Sequence, residues 1–254
     1  MTGETITITA PDGDTEMYVA RPDPSDGTPL PGVLFLTDLI GLRPRTRAMA
    51  DRIASWGYVV AVPHLFYRHG TADEWVPPAE DLADPDSLGA FFASALPKAR
   101  SLTRERARAD LEFYVDALRA LPGVAGGPIG VTGYCMGGRF ALDVAAARPH
   151  DVAAVGMFHT GGLVTDSPDS PHLHLVGIDA FVLAIHADND RSLPPEAIAQ
   201  FEHALTSTGV THSTTVHPGA AHGYTMSDIP AYHHEACEHH FAELESLFRR
   251  TLHP

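Results

Sequence analysis

Pro128-Ile129-Gly130-Val131-Thr132-Gly133-Tyr134-Cys135-Met136-Gly137-Gly138 leads from an apolar strand pattern into a helical one, continued by Phe140-Ala141-Leu142-Asp143-Val144-Ala145-Ala146, and sets one cysteine at the join. The pattern is G-x-C-x-G. Glycines two residues before and after the cysteine permit a sharp strand-to-helix turn, because a side chain there would strike the neighbouring strand or helix. A thiol on such a turn sits at a helix N-terminus, where the macrodipole favours its ionised form. Taken alone, the stretch also fits a glycine-rich turn around a small buried cysteine, so the rest of the chain must decide.

Working outward, Gly32-Val33-Leu34-Phe35-Leu36-Thr37, Tyr58-Val59-Val60-Ala61-Val62, the run before Cys135, Val152-Ala153-Ala154-Val155-Gly156-Met157-Phe158 and Ala180-Phe181-Val182-Leu183-Ala184-Ile185 are continuous apolar segments. They read as parallel strands covered on both faces. Helical patterns over about 45–56, 103–121, 136–147, 195–207 and 231–252 alternate with them, and His212-Ser213-Thr214-Thr215-Val216 supplies the last strand. At the start, Thr5-Ile6-Thr7-Ile8-Thr9 and Glu16-Met17-Tyr18-Val19-Ala20 flank Asp12-Gly13-Asp14 and predict an antiparallel hairpin. The expected fold is α/β, a mostly parallel doubly wound sheet with an N-terminal antiparallel hairpin. Its 254 residues are expected to form a single domain over 1–254. The Pro/Asp-rich stretch over 72–87 reads as an exposed excursion, either part of a lid or a solvated loop.

Lys plus Arg number 17 and Asp plus Glu 32, a formal charge of −15 with histidines neutral. Such a balance argues against nucleic acid and anionic membranes as partners. Met1-Thr2-Gly3-Glu4-Thr5 carries no basic n-region, and no segment approaches the roughly 18 apolar residues of a membrane span, so a cytoplasmic location is the expectation. Two cysteines, Cys135 and Cys237, are too few for a disulfide framework.

A nucleophilic thiol needs a base. Among 16 histidines, His222 lies in Val216-His217-Pro218-Gly219-Ala220-Ala221-His222-Gly223, on a glycine-rich loop after the last expected strand, with His217 in reserve. The acid should follow the preceding strand. Ile185-His186-Ala187-Asp188-Asn189-Asp190-Arg191 offers Asp190 to orient His222, leaving Asp188 to cap the turn. Cys135, Asp190 and His222 follow the nucleophile, acid, histidine order of α/β-hydrolases. By the same comparison the backbone N–H groups of Met136 and Leu39, the latter in Thr37-Asp38-Leu39-Ile40-Gly41, form the oxyanion hole.

These residues resemble the dienelactone hydrolase family. The resemblance rests on the Gly-Tyr-Cys-Met-Gly-Gly elbow, the Asp190 loop and Pro218-Gly219-Ala220-Ala221-His222-Gly223, and covers about 31–252. It implies an α/β-hydrolase fold and a cysteine hydrolase of esters or lactones that needs no cofactor and no metal. It further implies a carboxylate after the first central strand that engages the thiol, usually glutamate, and Asp38 stands in that place. The arginine with which the founding members hold a substrate carboxylate has no counterpart in His222-Gly223-Tyr224-Thr225-Met226. With a strongly negative chain, this favours a neutral small-molecule ester or lactone as substrate. The chain is expected as a monomer or homodimer. Two alternatives share the scaffold: an acyltransferase or thioesterase, and a ligand-binding homologue without turnover.

Other features are weaker. His159 in Phe158-His159-Thr160-Gly161-Gly162 either lines the substrate pocket or is bonded within its glycine turn. Arg139 reads as a surface or packing residue. His233, Cys237 and His240 recur at i, i+4 and i+7, the spacing of a metal face, but no fourth ligand is evident and Cys237 reads as a spectator.

Overall fold

Alternating threonine and isoleucine at 5–9 gives the opening strand two unlike faces, and it pairs as the hairpin predicts. Strand β1 (Thr2–Ala10) runs antiparallel to β2 (Gly13–Arg21), with Ala10 opposite Gly13 across the turn. The computed structural model describes residues 2–22 and 27–252, so Met1 of the opening stretch lies outside the described residues. Two compact units are distinguished, Met1–Gly127 with Asp228–Pro230, and Pro128–Ser227 with Ala231–Pro254.

In the first unit, β3 (Gly32–Leu36) and β4 (Val59–Pro63) are buried at every position, as continuous apolar runs require. The order within this unit is β1-β2-β4-β3, with β4 antiparallel to β2 and parallel to β3. Between β3 and β4 lies helix α1 (Pro44–Ala54), which begins on Pro44 and buries Thr46, Met49, Ala50, Ile53 and Ala54 along one stripe.

The stretch over 72–87 is mostly exposed, as expected, but it is helical and not a solvated loop. It holds α2 (Ala72–Trp75), α3 (Ala79–Ala83) and α4 (Pro85–Arg100), followed by α5 (Arg104–Ala120). The residues that read as loop are helix starts. Thr71 caps α2 in a capping box with Glu74, and Asp84 accepts from the Ser87 N–H at 2.8 Å beside Pro85 in the first turn of α4. Leu82 and Leu88 pack with Ile40, Val76, Phe91, Phe92 and Ile229. The stretch is therefore anchored by apolar contacts.

The second unit contains β5 (Ile129–Tyr134), α6 (Met136–Ala147), β6 (Val152–Phe158), β7 (Phe181–Asn189), α7 (Pro195–Ser207), β8 (His212–Ala221) and α8 (His234–Leu252). Its strands are parallel in the order β5-β6-β7-β8. Tyr134 pairs with Phe158 and Phe158 with Ile185, so the carboxyl ends of these strands come level. The last strand runs past the expected Val216 to Ala221, with a register shift that lets Pro218 and Gly219 stay inside it. Cys135, His159, Asp190 and His222 consequently each follow the last residue of a parallel strand. No helix among the described residues is long and apolar enough to cross a membrane.

Candidate active site

The elbow is built around a backbone that side-chain-bearing residues avoid. Cys135 has φ 55° and ψ −120°, and with His159 (φ 39°) it is the only non-glycine residue of positive φ among those described. Such a conformation costs about 1–3 kcal/mol and persists where surrounding contacts fix it. Here the Cys135 N–H donates to the Phe158 carbonyl at 3.1 Å, and the Gly138 N–H to the Cys135 carbonyl at 3.2 Å. Glycine is required on both sides of the turn. A Cβ on Gly133 would lie 2.1 Å from the Gly137 carbonyl oxygen, and one on Gly138 would lie 1.9 Å from Thr160 Oγ1. The Cys135 thiol is half-buried at the start of α6.

Three side chains from three strand ends line up here, sulfur to imidazole to carboxylate. His222 Nε2 lies 3.0 Å from Cys135 Sγ, and His222 Nδ1 lies 2.6 Å from Asp190 Oδ2. The Asp190 side chain is 3 % exposed and that of His222 33 %, so the carboxylate is enclosed while the ring has one edge open to solvent. Burial works against the imidazolium. The charge on Cys135 and the bonds to Asp190 and Cys135 outweigh it and push the His222 pKa up to about 10. Burial also opposes the Asp190 charge, but hydrogen bonds from His222 and Ser192 hold that carboxyl below its ordinary range. The raised His222 pKa and the lowered Asp190 pKa describe an imidazolium–carboxylate pair with the Cys135 sulfur at the other ring nitrogen.

Residues flanking the relay shape it. Asp188 Oδ2 accepts from the Gly219 N–H at 2.9 Å and so pins the bulge in β8 just before His222, a partner on the neighbouring strand where the sequence suggested a cap on its own turn. His217 does not take part in the relay; its Nδ1 lies 3.1 Å from the Pro218 carbonyl, and its ring contacts Tyr224, His233 and His239. His159 is buried, with Nε2 2.8 Å from Thr225 Oγ1 and its ring edge-on to His222 at 5.4 Å between centroids. It therefore backs the His222 imidazole. Arg139, in the first turns of α6, packs beside Gly162.

Cys237 is buried and donates to the Thr225 carbonyl at 3.6 Å. His240 bonds the Cys237 carbonyl through Nδ1 and lies 3.4 Å from the Tyr134 hydroxyl through Nε2. No group of three or more His, Cys, Asp or Glu side chains among the described residues is arranged to hold a metal ion.

In the first unit, the loop after β3 is organised by Asp38. Its Oδ1 accepts from the N–H groups of Ile40 (3.1 Å) and Gly41 (3.2 Å) and from Arg43 Nη1 (2.7 Å), while Oδ2 accepts from Arg43 Nη2 (3.0 Å). Arg43 is fully enclosed, and its Nε donates to Asp228 Oδ2 at 2.6 Å. Trp75 Nε1 donates to the Leu39 carbonyl at 3.0 Å. The Leu39–Ile40 peptide is thus held at both ends, whereas the Leu39 N–H has no hydrogen-bond partner among the described residues. The Met136 N–H, first in α6, likewise has no intrahelical acceptor.

Sequence reading did not single out Ser192, Arg43 or Asp228. For Ser192 a local signal existed, since a serine two residues after an aspartate is an Asx-turn pattern. The pairing of Arg43 with Asp228, 185 residues apart, has no local signal at all.

Comparisons with known proteins agree with this geometry. The model of the Dienelactone hydrolase family matches residues 15–252. A protein of Rhodococcus opacus named Carboxymethylenebutenolidase is 32% identical over 181 residues, covering 69% of this chain and 62% of the relative. A protein of Escherichia coli (strain K12), provisionally given the same name, is 28% identical over 235 residues, covering 92% of this chain and 81% of its own. A solved structure from Klebsiella pneumoniae subsp. pneumoniae MGH 78578 superimposes with a TM-score of 0.83 at 23% identity over 98% of each chain. The dienelactone hydrolase-like promiscuous phosphotriesterase P91 from metagenomic libraries gives a TM-score of 0.77 at 21% identity, again over 98% of each. These likenesses establish the α/β-hydrolase fold.

Proposed function

This chain belongs to the dienelactone hydrolase family, and from that premise we propose that it hydrolyses a small neutral carboxylic ester or lactone through Cys135, His222 and Asp190. The observation that carries the proposal is the unbroken relay from sulfur to imidazole (3.0 Å) to carboxylate (2.6 Å).

In the proposed cycle the Cys135 thiolate attacks the carbonyl carbon, a C–S bond forms, and the π pair moves onto oxygen. The N–H groups of Leu39 and Met136 receive that oxyanion. Preorganised donors of this kind are worth roughly 3–4 kcal/mol each. On collapse the C–O bond breaks, and His222 Nε2 gives its proton to the departing alkoxide. The neutral imidazole then takes a proton from water, hydroxide attacks the thioester, and the C–S bond breaks to restore thiolate and imidazolium. Asp190 holds Nδ1 throughout, keeping the ring in the one orientation that serves both steps.

Asp38 enters the proposal as the carboxylate that modulates the thiol. Its charge is neutralised by Arg43, so it acts chiefly by setting the loop that carries the Leu39 amide. His159 is proposed to border the site behind His222. A neutral substrate suits the formal charge of −15 and the missing arginine after His222. The chain is further proposed to fold as one domain over 1–254 and to work in the cytoplasm as a monomer or homodimer.

A panel of neutral and anionic aryl esters and lactones tests the proposal. The expected result is turnover of neutral substrates, with Cys135→Ala and His222→Ala each inactive. Undiminished hydrolysis by Cys135→Ala, or acyl transfer to added alcohols in preference to water, contradicts it.

A further inference from the structure

Ser192 has no place in the cycle above, yet its bonds converge on the relay. Its backbone N–H and its hydroxyl both donate to Asp190 Oδ1, at 2.8 and 2.6 Å. Its Oγ also lies 3.2 Å from His222 Nδ1. The other carboxylate oxygen, Oδ2, receives His222 Nδ1 at 2.6 Å. An aspartate carboxylate rotates broadly about its terminal torsion unless both oxygens are fixed. Two donors on Oδ1 fix the plane so that Oδ2 faces the ring.

The serine is itself held in place. Its carbonyl accepts the Gly162 N–H at 3.0 Å, and Gly161 lies flush against its side chain, where an added Cβ would come 2.2 Å from Ser192 Oγ. The segment after β6 that begins at the strained His159 therefore clamps the hydroxyl. Ser192 is exposed as a residue and fills no core position, so packing does not account for this arrangement.

We propose that Ser192 is a positioning residue of this hydrolase: by locking the Asp190 carboxylate it fixes the tilt and tautomer of His222 toward Cys135. The inference rests on the triad reading above. Asp190 is faced by His222 after β8 and by His186 on β7, with Cys135 beyond His222 and Asp188 two residues before it. His186 is buried, its pKa pushed down to about 4, so it stays neutral across the working range and leaves His222 as the cation that answers the carboxylate.

The test compares Ser192→Ala, Ser192→Thr, Gly161→Ala and Cys135→Ala on one aryl ester as a function of pH. Loss of a hydrogen bond to a charged group predicts a fall in kcat of about ten-fold for Ser192→Ala, with KM changing less than about two-fold. The acid limb of its pH profile moves upward, because Asp190 loses a donor that favours its charged form. Ser192→Thr, which keeps the hydroxyl, recovers most of kcat. Gly161→Ala leaves the serine present but turns its hydroxyl away, and should reproduce the fall even where Ser192→Ala is poorly folded. Unchanged kcat in both Ser192→Ala and Gly161→Ala overturns the inference, as does an equal loss in the Ala and Thr variants with an unmoved pH profile. An active Cys135→Ala protein would instead overturn the triad reading itself.

Discussion

Asp38 and Asp190 are both buried aspartates placed just after a buried strand, and their surroundings put them to opposite uses. Asp38 faces a guanidinium that never gives up its proton, and its remaining bonds go to loop amides. Asp190 faces an imidazole, with a serine taking up its second oxygen. A carboxylate paired with arginine is saturated and shapes backbone. A carboxylate paired with histidine stays coupled to a group that changes charge during a reaction. Residue type and position in the fold are the same in the two loops; the partner decides the role.

The comparison is broken most sharply by removing the Asp190 charge on one loop and, separately, the guanidinium that answers Asp38 on the other. Asp190→Asn is expected to cost about four orders of magnitude in kcat, the scale seen when a triad acid is neutralised and the histidine takes the wrong tautomer. A loss below ten-fold, measured with an aryl ester, would place Asp190 outside the chemistry. On the other loop the large effect is on stability. Arg43→Met strands Asp38 and Asp228, whose side chains are 8 % and 24 % exposed, and should destabilise the fold by about 3–5 kcal/mol in denaturant titration. Fluorescence and circular dichroism should follow one coincident transition, as expected if 1–254 unfolds as a unit.

Stability against pH sharpens the contrast further. The folded-state pKa of His222 is raised from 6.5 to about 10, so its contribution is complete below about 6.5 and is lost as pH rises toward 10. Asp190 has a lowered pKa, so its contribution is present above the usual aspartate range and is lost as pH falls through the folded value. The melting temperature of the wild type should therefore decline more steeply than that of His222→Ala between pH 7 and 10; parallel curves would refute the ion pair. The smallest effect is expected for Asp38→Asn, which keeps shape and most loop bonds: kcat should fall by less than about ten-fold.

Much of this is legible in the sequence. The apolar runs at Val33–Leu36, Val59–Val62 and Val152–Phe158 have few structural solutions other than buried parallel strands. Cys135 and Asp190 could be picked out because each follows such a run, whereas His222, after the polar and half-exposed β8, was marked by its glycine-rich loop and by the nucleophile, acid, histidine order. What escaped reading has physical reasons. The segment over 72–100 carries Pro78, Asp84 and Pro85, residues equally at home in loops and in helix starts, and only packing on Ile40 separates the two. Pro218 and Gly219 look like the end of a strand, yet a bulge pinned by Asp188 carries β8 through them. The Arg43–Asp228 pair depends on the folded path of the chain, and Ser192 is an ordinary polar residue until its hydroxyl is seen on Asp190.

The central claim is that the Cys135 sulfur becomes acylated and is freed by water. Rapid acid quenching of the protein during turnover of an aryl ester, followed by peptide mass spectrometry, reads this directly. The account predicts an acyl group on the peptide bearing Cys135, accumulating further in a variant lacking the His222 imidazole if acylation still proceeds with an activated ester. Ester cleavage at the wild-type rate with that peptide unmodified, or with the acyl group on another residue, would contradict it.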